Sequence, residues 1–373
     1  MNNPKIIALY LPQFHCIPEN DLFWGKGFTD WISVKKAKPL YKGHNQPVIP
    51  LNNNYYDLSR EETVEWQANL AKEHGIYGFG VYHYWFNNEK NLLTKPAEIL
   101  RDSKCINIKY FFIWDNNNWK RSWSNIPGNS WALTEENTTE RKKGTEILIP
   151  FILGEKKDWE NHYKYLREHF LSPNYEKWNN KPLFSIIYPS KEIKRMCDYW
   201  NELAIKDGFE GICFIYKQTQ SIHLNKLDYR YCYQPHWAGW ERHSFIKRVR
   251  NKIYRIFNIQ AQTKVKYFDY DTLWKKIIKE ASVKTENNIF HGAYVSYDDS
   301  PRRGDKRSII VQNSSPEKFK LYFKKLYDIS LKQNKEYIFL TAWNEWGEGA
   351  YIEPDTTNQN KYLTAIKNIV TGE

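Results

Sequence analysis

Residues 59–86 read SREETVEWQANLAKEHGIYGFGVYHYWF, a helical pattern running into a buried strand. Ser59 stands where a helix N-cap belongs, and Glu62 three residues later completes a capping box. Gly75 supplies the stop signal. The following run, GFGVYHYWF at 78–86, is apolar and aromatic without interruption, as expected for a strand covered on both faces of a parallel sheet. The same step repeats along the chain. Strands are expected at 5–11, 78–86, 110–114, 182–188, 211–216, 229–233, 291–297 and 336–343. Helices are expected at 59–74, 158–170, 191–206, 270–282, 316–333 and 361–370. Eight strands with interleaved helices predict an α/β fold, a (β/α)8 TIM barrel. A doubly wound sheet is the other fold such alternation allows.

The 373 residues show no internal repeat and no Pro/Gly/Ser linker, so one catalytic domain over 1–373 is expected, with long insertions at about 116–150 and 238–269. An aromatic content of 17% excludes a disordered chain. The five cysteines, Cys16, Cys105, Cys197, Cys213 and Cys232, are widely spaced with no C-x-x-C, which argues against a disulfide framework or a zinc site. No run approaches a membrane span and no signal-peptide pattern opens the chain, so a cytoplasmic protein is expected. The formal charge of +12 suggests an anionic partner. No nucleic-acid motif is present, and nucleic acid is set aside. Residues 242–255, from Arg242 to Arg255, read instead as a basic amphipathic helix suited to an anionic membrane surface or a lipid-linked glycan. Peripheral membrane association would follow; a helix packed on the barrel is the plainer reading.

In a barrel, functional side chains gather at the C-terminal strand ends. Those ends supply Tyr10, His83, Tyr84, Trp85, Asp115, Asn116, Trp119, His236, Asp298, Arg302 and Asn344 as candidate substrate-binding residues. Indole and phenol faces stack on sugar rings, and the polar members hydrogen-bond hydroxyls, so an oligosaccharide or polysaccharide substrate is expected. The cluster Arg302, Arg303, Lys306 and Arg307 could clamp a phosphate or a uronic-acid carboxylate. His15, His83, His236 and His291 lie near strand ends but lack an H-x-H pair, so no metal is expected. Gly75, Gly78 and Gly80 precede a strand and do not open a helix, so they form no dinucleotide fingerprint; no cofactor is expected.

The sharpest segment is AWNEWGEGAYIEPD at 342–355. Glu345 and Glu348 lie three apart, a spacing that faces both the same way on a helical turn. Glycoside cleavage requires such a pair of carboxyl groups. Two like charges this close push one pKa upward, which suits a general acid. Glu345 and Glu348 are therefore the catalytic candidates.

NEWGEG followed by IEP resembles the N-E-W-x-E-G signature of glycoside hydrolase family 99, the endo-acting α-mannosidases and mannanases. The chain as a whole is similar to the WbsX-type family of that superfamily, through ALYLPQFH at 8–15, GFTDW at 27–31, GFGVYHYWF at 78–86, WDNNNW at 114–119, SPRR at 300–303 and the 342–355 segment. The resemblance implies a (β/α)8 barrel and retention of anomeric configuration. It implies Glu345 as the base on the sugar 2-hydroxyl, which attacks C1 to give a 1,2-anhydro sugar, and Glu348 as the acid and then the base that activates water. Gly347 departs from the family hydrolases, which commonly carry His there. WbsX-type proteins are usually named glycosyltransferases, through their occurrence with polysaccharide-assembly genes. A retaining hydrolase, an O-antigen, lipopolysaccharide or capsule glycosyltransferase, and an inactive sugar-binding barrel are the readings to separate.

Overall fold

The computed structural model describes residues 3–120, 147–241, 265–305 and 308–373. Eight parallel strands form a closed barrel: β1 Lys5–Tyr10, β2 Gly78–Asn87, β3 Lys109–Trp114, β4 Lys181–Ile186, β5 Cys213–Lys217, β6 Tyr229–Tyr231, β7 Ile289–Tyr294 and β8 Tyr337–Thr341. Each strand pairs with its sequence neighbour, and β1 closes the ring by pairing with both β2 and β8. All eight expected strands are present, and closure excludes the doubly wound sheet.

The helices are α1 Pro18–Trp24, α2 Asp30–Lys36, α3 Glu61–Glu73, α4 Lys95–Asp102, α5 Lys156–Leu171, α6 Lys191–Lys206, α7 Tyr270–Val283, α8 Ser300–Arg303, α9 Pro316–Lys332 and α10 Lys361–Thr371. One expectation needs correction. The Ser59 capping box does not form: α3 begins at Glu61 after Arg60, with no side-chain cap, and the Ser59 amide donates to Asp57 Oδ1 at 2.8 Å. No helix follows β5, because residues 218–228 make only turns before β6. The 16-residue α6, by contrast, runs over the expected residues, capped by Ser190 accepting from the Ile193 amide.

Strand alternation divides the core. Leu9, Gly80, Tyr82, Phe111, Ile113, Tyr231 and Phe339 point into the barrel. Phe339 stacks on Tyr231 with centroids 4.4 Å apart and meets Phe111 at 6.1 Å. A Cβ on Gly80 would come 2.6 Å from Ile113 Cδ1, so a larger residue there would displace that side chain. Tyr10, Phe79, His83, Trp85, Phe112 and Trp114 point outward to the helices. All five cysteines are free. Among the described residues no helix is long and apolar enough to cross a membrane. The 242–255 segment, Lys306 and Arg307 lie outside the described residues.

Candidate active site at the barrel mouth

After β8 the chain makes a small hairpin, Asn344–Glu345 against Ala350–Tyr351, around the 3₁₀ turn Trp346–Glu348. Gly349 closes it in the left-handed conformation, with φ of 55°. The turn is pinned from below. Asn344 accepts from the Leu11 amide at 2.7 Å and donates to the Leu11 carbonyl at 3.0 Å. Trp346 stacks on Tyr351 at 3.7 Å, and its indole N–H donates to Glu353 Oε2 at 2.6 Å. Glu353 also accepts from Tyr56 and Gln67, each at 2.7 Å. Burial pushes its carboxyl up to about 7, against these donors.

This frame places Glu345 and Glu348 on one guanidinium. Arg302 Nη2 donates to Glu345 Oε2 at 3.1 Å, and Nη1 donates to Glu348 Oε1 at 2.8 Å. Asp30, at the start of α2, takes two more: Nη2 at 2.9 Å and Nε at 3.2 Å. Arg302, Asp30 and Glu345 are 6%, 2% and 4% exposed, so water screens the cluster little. One cation faces three carboxylates, and the cluster must retain a proton near neutrality. Burial pushes Glu345 up to about 8; Arg302 opposes the rise, while Glu348 and Asp30 add to it.

Gly347 is explained by the same cluster. A Cβ there would stand 2.5 Å from Arg302 Nε and 2.5 Å from Asp30 Oδ2. The Gly347 amide donates to Asp30 at 3.2 Å. Arg302 and Asp30 occupy the space a larger residue would need.

Aromatic side chains surround the pair. The Tyr82 hydroxyl donates to the Tyr233 hydroxyl at 3.4 Å. Burial raises the phenols of Tyr82, Tyr84, Tyr233 and Tyr297, and each also responds to the charge of Glu345, Glu348 or both. His236 sits among Tyr233, Trp240 and Tyr297, with centroids at 4.6, 4.7 and 5.0 Å. Burial holds its imidazole well below the usual range, hence neutral. Asp115 completes the wall; burial pushes it up to about 6 against the opposing charge of Lys217. Lys217 pairs with Glu241 at 2.7 Å and lies 4.9 Å over the Tyr233 ring.

The structure thus brings Tyr84, Asp115, His236, Arg302, Glu345 and Glu348 together and removes other candidates. Tyr10 faces outward and donates to Gln67 at 2.6 Å. His83 faces outward to His162, with their Nε2 atoms 2.8 Å apart. Trp85 lies outward too, stacked on His162 at 4.3 Å. Asn116 is occupied with the Tyr188 backbone, donating at 2.8 Å and accepting at 2.9 Å. Trp119 packs in a second core cluster with Trp24, Phe28 and Phe86. Asn344 is the hinge pin already described. Asp298 accepts from Gln46 and pairs with His44, each at 2.7 Å, which ties the 40–47 loop to the mouth. These bonds hold its carboxyl below the ordinary value despite burial. Arg302 is no phosphate clamp, because its Nε, Nη1 and Nη2 all reach carboxylates. Sequence reading missed Asp30, Tyr82, Lys217, Tyr233 and Trp240 as site residues. Alternation along β2 points to Tyr82, and GFTDW contains Asp30, but no local pattern marks the others. Among the described residues no cluster of three His, Cys, Asp or Glu side chains is placed to hold a metal ion.

The family model described as Glycosyltransferase WbsX matches residues 6–366. The chain belongs to the WbsX family. Two curated relatives, both an "Uncharacterized protein WxcX" from strains of Xanthomonas campestris pv. campestris, are 26% identical over 98% of this chain. The chain spans 49% of their length. Among solved structures, the GH99 endo-α-mannosidase from Bacteroides thetaiotaomicron is similar at a TM-score of 0.52 and 13% identity, over 98% of this chain and 96% of that one. A glycoside hydrolase-like protein is similar at a TM-score of 0.57 and 13% identity, over 99% and 94%. At these identities the likeness is one of fold, and it agrees with the barrel seen here.

Proposed function

We propose that this WbsX-family chain is a retaining glycoside hydrolase, acting on α-linked mannose-like residues of a bacterial surface polysaccharide or its precursor. The observation that carries the proposal is the placement of Glu345 and Glu348 on two nitrogens of Arg302 at the barrel mouth. One guanidinium bridges them, so both carboxyl groups are held at one point of the mouth, as a glycosidase pair must be. Burial raises Glu345 to about 8, so its proton must pass to Glu348 before Glu345 can act as the base of the first step.

In the first step Glu345 takes the proton of the sugar 2-hydroxyl, and O2 attacks C1. The C1–O bond to the leaving group breaks, and Glu348 gives that oxygen its proton. In the second step Glu348 takes a proton from water, whose oxygen attacks C1. The C1–O2 bond opens, and O2 recovers its proton from Glu345. Two inversions give net retention. Arg302 keeps the excess charge of the pair tolerable while the proton moves. Tyr84, Tyr233, Tyr297, His236 and Asp115 form the sugar-facing wall.

The description of the family favours a second reading, transfer from a nucleotide sugar at the same mouth. One experiment separates them. Wild type and Glu348→Gln are incubated with bacterial surface polysaccharides, with and without nucleotide sugars, and products are read by mass spectrometry. Shortening that needs Glu348 and no nucleotide is expected. Extension that occurs only with a nucleotide sugar overturns the hydrolase reading.

A further inference from the structure

Behind the barrel wall, a cavity of about 310 Å³ opens between the ends of β2 and β3 and helices α5 and α6. Trp85, Trp114 and Trp159 line it, with Asn88 and Asp158 among its polar groups and His162 behind Trp85. Neither Glu345, Glu348, Asp115 nor any mouth tyrosine reaches it, so it is separate from the candidate active site. Its volume is at the low end of ligand pockets, ~300–1,000 Å³, and suits one or two sugar rings.

The lining is fixed in advance. Trp85 lies flat on His162, with centroids 4.3 Å apart and planes 5° from parallel. The Trp114 indole N–H donates to the Trp85 carbonyl at 2.9 Å, and that of Trp159 donates to the Leu153 carbonyl at 3.1 Å. With the N–H groups satisfied, the rings offer apolar surface and have no polar demand of their own. Charge decides between ligand classes. No lysine or arginine lines the cavity, which disfavours phosphate and carboxylate ligands. Asp158 is committed locally: it bonds Asn88 and accepts from the Glu155 amide at 2.7 Å as part of the α5 capping box. Glu89, the other carboxylate of the lining, is exposed to water at the rim, so neither carboxylate offers a cationic guest a free, buried anchor. Aromatic surface with neutral amides at the rim fits a ligand that is apolar on its ring faces and hydroxylated at its edges.

We infer that this flank cavity is a second carbohydrate site, taking a neutral mono- or disaccharide unit. The ligand class follows from the cavity's own lining and does not depend on the chemistry at Glu345 and Glu348.

The test uses the full chain with maltose, cellobiose and mannobiose as probes, followed by saturation-transfer NMR and titration calorimetry. At least one probe is expected to bind wild type and Glu348→Gln alike. Trp159→Ala removes one platform, and Asn88→Trp, at an exposed rim position, fills the opening. Each is expected to weaken binding about tenfold or more, as loss of an aromatic anchor does. Asn88→Trp leaves the core intact, and both variants are checked for wild-type melting. Failure of all three probes to bind wild type overturns the inference, as does unchanged affinity in both variants. Preferential binding of choline over the sugars also overturns it. Absent hydrolysis with flank binding retained would overturn the proposed function and leave this site standing.

Discussion

Tyr82 and Tyr84 face the charged mouth, whereas His83 and Trp85, one residue away on the same strand, lie behind the barrel wall. The two regions use similar residues under different physical rules. At the mouth, one guanidinium holds three carboxylates in a site with little water, so charge balance dominates. On the flank, neutral imidazoles and indoles stack, and packing dominates. Burial keeps His83 and His162 well below the usual imidazole range, so the flank carries no charge of theirs near neutrality. Residue type alone does not assign a role; the strand face does.

This contrast can be tested from its largest effect downward. Glu348→Gln is expected to reduce turnover by about 10²–10⁴-fold, the range for removing a positioned acid–base group, with little change in melting. His83→Phe should leave turnover unchanged; a comparable loss there would break the division between the regions. Arg302→Met should lower stability by about 3–5 kcal/mol in urea denaturation, because it leaves buried carboxylates without their cation. Gly347→Ala should lower stability by about 1–3 kcal/mol through overpacking against Arg302 and Asp30, and should lower turnover with it. A fully stable, active Gly347→Ala would show that the cluster is looser than drawn.

The pH response sharpens the same comparison. Glu345 is pushed from its ordinary 4.5 to about 8 in the folded chain. The folded state therefore holds a proton that the unfolded state releases, and stability falls as pH rises from about 5 through about 8. Glu345→Gln should make that slope shallower in urea midpoints measured across the range, leaving the shares of Glu353 and Asp115. His83→Phe should lower stability by about 1–3 kcal/mol, since His162 Nε2 loses its partner in a dry site. Above about pH 6.5 its slope should stay as in wild type; below that its stability should fall less on acidification, because the unfolded chain no longer gains the His83 proton that the fold refuses.

Much of the barrel was legible because its causes are local. Buried parallel strands read as continuous apolar runs, and the Ser190 cap and the period of α6 mark a helix without outside help. The Ser59 cap failed because a competing local bond, from its amide to Asp57, draws the chain into a turn first. The catalytic candidates were legible for a similar reason: two glutamates three positions apart on one tight turn face the same way. Asn116 and Asn344 misled because their side chains, polar and at strand ends, are consumed by backbone partners 72 and 333 residues away in sequence.

The sequence by itself determined the alternation of strands and helices, the eight-strand count and the glutamate pair, since each rests on residues within a few positions of one another. Only the tertiary structure decided the rest. Barrel closure assigned each side chain to the mouth or the flank. It brought Asp30 from α2 and Arg302 from α8 onto Glu345 and Glu348 after β8. It made Gly347 a requirement of that cluster, and it created the flank cavity between strands and helices. These are contacts between residues up to 317 apart in the chain, and no local pattern encodes them.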